Sequence, residues 1–181
     1  LTVDPVFARD IISLGGDAVK KCYQCGICTA ICPYSDENAN FPRKVIKYVQ
    51  LGLKDRVLQS TDPWLCYYCG DCSTTCPRDA NPGEMMMALR RYLTTKYDWT
   101  HFSGMLYRSK FVKVISTIIL ALATVLVVWL LHGPIVMERV ELETFAPIHI
   151  MDAADMTFGG ILAILIISNI GRMYWFTIRK P

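Results

Sequence analysis

With 181 residues, 52% of them hydrophobic and only 19% charged, the chain can build one modest soluble domain and has apolar length left over. Its formal charge of +3 counts eight cysteines as neutral. So small an excess is no argument for a nucleic-acid surface.

The first expected element is a short amphipathic helix. Asp4-Pro5 supplies a cap and a first-turn proline, Phe7, Ile11 and Leu14 recur at helical spacing, and Gly15-Gly16 ends the segment. A first cysteine run follows, Cys22-x2-Cys25-x2-Cys28-x3-Cys32-Pro33. In the stretch after it, Pro42 opens a helix with Val45, Val49 and Leu53 on one side and Gly52 at its end. Asp62-Pro63 caps a turn before the second run, Cys66-x2-Cys69-x2-Cys72-x3-Cys76-Pro77. Asn81-Pro82-x-Glu84 then predicts a capping box, with Glu84 bonding back to the cap, on a helix reaching about Tyr97. Met85, Met86, Met87, Leu89 and Leu93 make that helix apolar on one side, for either a partner surface or the domain's own core. The expected domain, 1–106, is mainly α.

Both runs have the spacing of a bacterial-type ferredoxin with two 4Fe-4S clusters, and no cysteine is left over. In that arrangement the fourth cysteine of each run ligates the other cluster. Cys22, Cys25, Cys28 and Cys76 are therefore expected to hold one cluster, and Cys66, Cys69, Cys72 and Cys32 the second. A disulfide framework does not require a duplicated, proline-terminated spacing, and zinc sites usually separate two cysteine pairs. Residues 1–113 carry 15 Lys/Arg and 11 Asp/Glu, a balance of +4. Two clusters of about −2 each, thiolates included, bring that domain close to neutral. Ile27, Ile31, Trp64, Tyr67 and Tyr68 are expected to exclude water around the clusters, and Gly26 and Gly70 to let the backbone approach closely.

Beyond this domain, 107–181 reads as a membrane domain with helices at about 112–131 and 157–177. Residues 114–131 contain no charge over a length near that of a bilayer crossing. Residues 158–176 suffice for a second crossing if Arg172 snorkels or faces protein. Arg108, Lys110 and Lys113 precede the first, Arg179-Lys180 follow the second, and 132–157 holds one Arg against five acidic residues. By the positive-inside tendency both ends are cytoplasmic, making the protein a multi-pass hairpin of the cytoplasmic (inner) membrane. The start at Leu1 and the end at Pro181, directly after an apolar stretch, lead to the expectation of further membrane helices beyond. His132 and His149, at the outer ends of the two crossings, are candidate haem b ligands.

The segments Gly15-Gly16-Asp17-Ala18-Val19-Lys20-Lys21-Cys22-Tyr23-Gln24-Cys25, Asn40-Phe41-Pro42-Arg43-Lys44 and Trp64-Leu65-Cys66 through Cys76-Pro77-Arg78 resemble the family of heterodisulfide reductase C subunits. With membrane helices attached, they most resemble the C subunits of quinone-interacting membrane-bound oxidoreductases of sulfate reducers. The resemblance covers about residues 4 to 100. It implies a dicluster domain fused to a haem b-binding membrane domain, beside flavin- and iron-sulfur-containing heterodisulfide-reductase-A-like subunits. It further implies a respiratory role in sulfate reduction, carrying electrons between the menaquinone pool and adenylylsulfate reductase. The alternatives are the C subunit of a membrane-associated heterodisulfide reductase and, in another class, a structural membrane tether. No Gly-rich dinucleotide fingerprint is present, so no substrate-transforming site is expected in this chain.

Overall fold

The computed structural model describes residues 3–35, 40–131 and 148–179, and among them every regular element is helical. Contacts divide the chain into two units, Leu1–Arg108 with Arg172–Pro181, and Ser109–Gly171.

Among its described residues the first unit holds nine whole α-helices, α1 (Phe7–Ser13), α2 (Ala18–Lys21), α3 (Ile27–Ile31), α4 (Arg43–Gln50), α5 (Lys54–Leu58), α6 (Asp62–Leu65), α7 (Asp71–Thr74), α8 (Pro82–Tyr97) and α9 (Phe102–Arg108), and a π-helical turn, Trp175–Arg179. α8 is the spine, and α1, α2, α6 and α7 all pack against it. Met85, Met86, Leu89 and Leu93 recur along one side of α8 and are fully buried, together with Phe7, Ile11, Val45, Ile46, Val49 and Val57. The methionines thus fill the domain's own core, where an unbranched thioether adapts to irregular gaps. Phe7 meets Tyr92 edge-on, with ring centroids 5.2 Å apart.

Helix ends follow local chemistry. Asn81 adopts φ 52°, a left-handed conformation that asparagine tolerates, and its Oδ1 accepts from the Glu84 N–H at 3.3 Å and the Ser73 hydroxyl at 2.7 Å. The expected return bond from Glu84 to the cap is replaced. Glu84 Oε1 pairs with Arg91 at 2.8 Å, and Oε2 accepts from the Tyr68 hydroxyl at 3.1 Å. A guanidinium offers a charge-assisted bond that outcompetes a neutral backbone N–H. Pro42 stands at the N-cap of α4 as expected, while α5 is an element the spacing did not indicate.

The second unit is built from α10 (Lys110–Leu131) and most of α11 (Ile148–Tyr174). At 1.5 Å per residue they extend about 33 Å and about 40 Å, against a hydrocarbon core of about 30 Å. Both are long and apolar enough to cross a membrane, and neither buries any of its apolar window. The hydroxyls of α10 turn back onto its own carbonyls: Ser116 and Thr117 onto Lys113, and Thr124 onto Ala121. Thr157, Ser168 and Asn169 do the same in α11. α11 begins ten residues before the apolar stretch expected at 158, so Asp152 and Asp155 are helical. His149 lies exposed in its first turn, whereas His132 falls outside the described residues.

Candidate functional site

The two cysteine runs fold alike. Each begins as a short helix, α2 or α6, whose next residue turns to extended backbone: Cys22 at φ −76°, ψ 121°, and Cys66 at φ −70°, ψ 123°. Two left-handed residues then reverse the chain, Gln24 (φ 61°) and Gly26 (φ 93°) in the first run, Tyr68 (φ 57°) and Gly70 (φ 92°) in the second. Glycine suits the second of these positions because it has no Cβ to clash there. Gly26 and Gly70 next become the N-caps of α3 and α7, their carbonyls accepting from Thr29 at 2.9 Å and from Ser73 at 2.8 Å. α3 and α7 pack on each other, so the two runs face one another.

This facing arrangement exchanges the fourth cysteines. One cavity, of about 360 Å³ including its open mouth, is lined by Cys22, Cys25, Cys28 and Cys76. The other, of about 460 Å³, is lined by Cys66, Cys69, Cys72 and Cys32. Burial first, and then the neighbouring Cys22, Cys72 and Cys25, push the Cys28 thiol up to about 11. Burial also raises the Cys72 thiol, with Cys66, Cys32 and Cys69 adding to it and the Ser73 hydroxyl opposing.

Among the described residues, no three Cys, His, Asp or Glu side chains converge tightly enough for a single metal ion. The four thiols that line each cavity are an all-thiolate donor set, the one iron-sulfur clusters take.

Two polar side chains from outside the runs fix their first cysteines. Gln50, at the end of α4, donates to the carbonyls of Val19 at 3.1 Å and Cys22 at 2.9 Å, and accepts from the Gln24 amide at 2.8 Å. Arg90, on α8, donates to the carbonyls of Pro63 at 2.7 Å, Trp64 at 2.9 Å and Cys66 at 2.6 Å. Sequence reasoning missed both. The available signal was a pair of arginines, Arg90 and Arg91, between buried positions of an apolar helix, where a charge persists only with partners.

The cavity linings differ from the expectation of an apolar seal. Phe41 and Met86 are buried beneath the second cavity, and Tyr34 packs edge-on against Phe41 at 5.1 Å. Tyr67 is 86% exposed, and Tyr68, Ile27 and Ile31 are also exposed. Cys25 and Cys69 are exposed too. Gaps of two or three residues between cysteines leave these side chains no interior to point into; Tyr67 and Tyr68 line the second cavity and Ile27 the first from their exposed sides.

Residues 18–80 match the 4Fe-4S dicluster domain family, a match that takes in all eight cysteines. The chain is 38% identical over 91 residues to a protein of Archaeoglobus profundus described as like the C subunit of heterodisulfide reductase, covering 50% of this chain and 48% of that one. It is 42% identical over 97 residues to an iron-sulfur C subunit, the one numbered 2, of the CoB–CoM heterodisulfide reductase of Methanocaldococcus jannaschii, covering 52% of each. Against the C subunit of the H2:CoB–CoM heterodisulfide, ferredoxin reductase of Methanothermobacter marburgensis it is 36% identical over 63 residues, 35% of this chain and 34% of the relative. The cysteine-bearing domain is like that of heterodisulfide reductase C subunits. The chain spans about half the length, or less, of the curated relatives it matches.

Proposed function

We propose that this chain is the iron-sulfur electron-transfer subunit of a membrane-bound oxidoreductase, with an iron-sulfur domain at 1–106 and a membrane domain at 107–181. Cys22, Cys25, Cys28 and Cys76 hold one 4Fe-4S cluster; Cys66, Cys69, Cys72 and Cys32 hold the other. The observation that carries this reading is the lining of the two cavities, each by three cysteines of one run and the fourth of the other. When bound, the clusters supply one-electron transfer without making or breaking bonds.

The protein's own part is positioning. Gln50 and Arg90 hold the carbonyls of Cys22 and Cys66 and so fix where each run starts. Pro33 and Pro77 restrict the chain as it leaves each site. Backbone N–H groups donate to sulfur from Gln24 to Cys22 and from Ala80 to Cys76, both at 3.4 Å.

The partner reading joins the iron-sulfur domain to the apolar helices. α10 and α11 cross the cytoplasmic membrane as a hairpin, both ends cytoplasmic, supported by their length and by polar side chains bonded back onto their own carbonyls. The chain then relays electrons between menaquinone and cytoplasmic flavin- and iron-sulfur-containing heterodisulfide-reductase-A-like subunits, on a route to adenylylsulfate reductase. Haem b, if carried, belongs to the wider membrane domain, with His132 and His149 as candidate ligands. A second reading, the C subunit of a heterodisulfide reductase, is favoured by the relatives' names.

The test is the intact complex, purified anaerobically. The proposal expects about eight irons and eight sulfides per chain and cluster reduction by a menaquinol analogue. Two irons per chain, or stoichiometric zinc, would sink the cluster assignment. Full iron with no response to quinol, and reoxidation by a CoM–CoB-type heterodisulfide, would move the protein to the second reading.

A further inference from the structure

The two cavities carry different charges, and the difference comes largely from residues outside the cysteines. Two guanidiniums, those of Arg43 and Arg78, line the cavity of Cys22, Cys25, Cys28 and Cys76, and among the described residues no carboxylate does. Arg43 opens α4, and its Nη1 lies 3.1 Å from where a Cβ on Gly26 would stand, beside the loop that joins Cys25 to Cys28. Arg78 is held by Tyr23: Nη2 donates to the phenol oxygen at 3.2 Å, and the guanidinium carbon lies 4.4 Å from the ring centroid. Among the described residues, the cavity of Cys32, Cys66, Cys69 and Cys72 is lined by no Lys or Arg and by one carboxylate, Asp71. Arg90 stands behind it, bound to three carbonyls, and Arg91 is paired with Glu84.

Hydrogen bonds to sulfur divide the same way. The first quartet receives the Gln24 backbone N–H and side-chain amide on Cys22, at 3.4 and 3.7 Å, and the Ala80 N–H on Cys76 at 3.4 Å. The second has the Ser73 hydroxyl 4.0 Å from Cys72.

Resting on the two-cluster reading above, we infer that Arg43 and Arg78 make the Cys22/Cys25/Cys28/Cys76 site the higher-potential end of the relay. Adding one electron, with no bond made or broken, takes such a site from about −2 to about −3. Guanidiniums and N–H donors stabilise the more negative form, while Asp71 and the apolar floor of Phe41 and Met86 oppose it at the other site. An electron shared between the two sites therefore rests on the first. Half-buried Arg43 contributes more than exposed Arg78, whose charge water and salt screen.

The test uses the full chain, purified anaerobically, with iron and sulfide counted before titration with dithionite under paramagnetic resonance. Wild type should show two separate one-electron transitions. Arg43→Gln should shift the upper one downward by at least about tenfold in its oxidised-to-reduced ratio, ~59 mV for one electron. Arg78→Gln should shift the same transition less, Arg43→Lys should restore most of the loss, and Asp71→Asn should raise the lower transition. If Arg43→Gln loses iron, Arg78→Gln, on the surface, carries the test. Eight irons with coincident transitions, or arginine variants that move the lower transition, would overturn the inference. Fewer than eight irons in wild type would instead overturn the two-cluster reading beneath it.

Discussion

α8 and α10 are both rich in apolar residues, and they meet opposite fates. In α8, Met85, Met86, Leu89 and Leu93 are wholly buried, and the interspersed Arg90 and Arg91 are bound to carbonyls and to Glu84. In α10 the apolar window is uninterrupted by charge and entirely unburied, and its three hydroxyls satisfy themselves along the helix. Hydrophobic content alone does not separate a core helix from one long and apolar enough to cross a membrane. What separates them is whether charges interrupt the apolar residues and whether those charges find partners.

The largest contrast should come from truncating equivalent side chains. Leu89→Ala should destabilise the iron-sulfur unit by about 2–5 kcal/mol, because a cavity opens in a packed core, whereas Ile119→Ala should change it by less than about 0.5 kcal/mol. Denaturant midpoints of the detergent-solubilised protein check this, and equal losses would break the comparison.

Arg90→Met sharpens it next. Removing the guanidinium strands the carbonyls of Pro63, Trp64 and Cys66. The expected cost is about 2–4 kcal/mol, with iron lost first from the cavity of Cys66, Cys69 and Cys72. Retention of both the midpoint and the full iron count would show that this charge is merely tolerated in α8.

A smaller effect belongs to the start of α8. Asn81→Ala removes the acceptor for the Glu84 N–H and for the Ser73 hydroxyl, and should cost about 1 kcal/mol by thermal midpoint. Asn81→Gly should lose less, since glycine also accepts φ 52°.

Just beyond α8 the expected effect is a pH dependence. Burial would raise the Asp98 carboxyl, but bonds from the Thr100 hydroxyl and N–H and the Ser103 N–H outweigh it and hold it at about 2, below the usual 3.8. A depressed acid stabilises the fold above its unfolded pKa, so this contribution is complete above about pH 5 and lost as pH falls toward 2. Asp98→Asn should flatten that acid limb in a pH series of unfolding midpoints while lowering stability near neutrality. An unchanged limb would remove Asp98 from the account.

Much of this architecture was legible because its causes are local. Asn81-Pro82 marked the start of α8 and the apolar spacing its end near Tyr97, and Pro42 marked the start of α4. The sharing of fourth cysteines is not local: it is the expectation for a two-cluster ferredoxin, and each cavity is lined by the four cysteines that expectation puts together. The misses are long-range. Glu84 left its own cap because Arg91 and Tyr68 stood closer to its needs, and Gln50 reached Cys22 across 28 positions of sequence. Arg43 had no role in the sequence reading, and only the placement of α4 brings it beside Gly26. Tyr67 and Tyr68 looked like a seal because aromatic residues usually find an interior, and a loop that commits every third residue to the cavity provides none.

The central claim is the exchange of fourth cysteines between the two sites. An experimental density map of the iron-loaded protein, phased on the iron signal, tests it most directly. Cys76 Sγ should lie on the cluster held by Cys22, Cys25 and Cys28, and Cys32 Sγ on the cluster held by Cys66, Cys69 and Cys72. Density joining Cys22, Cys25, Cys28 and Cys32 around one cluster would contradict it.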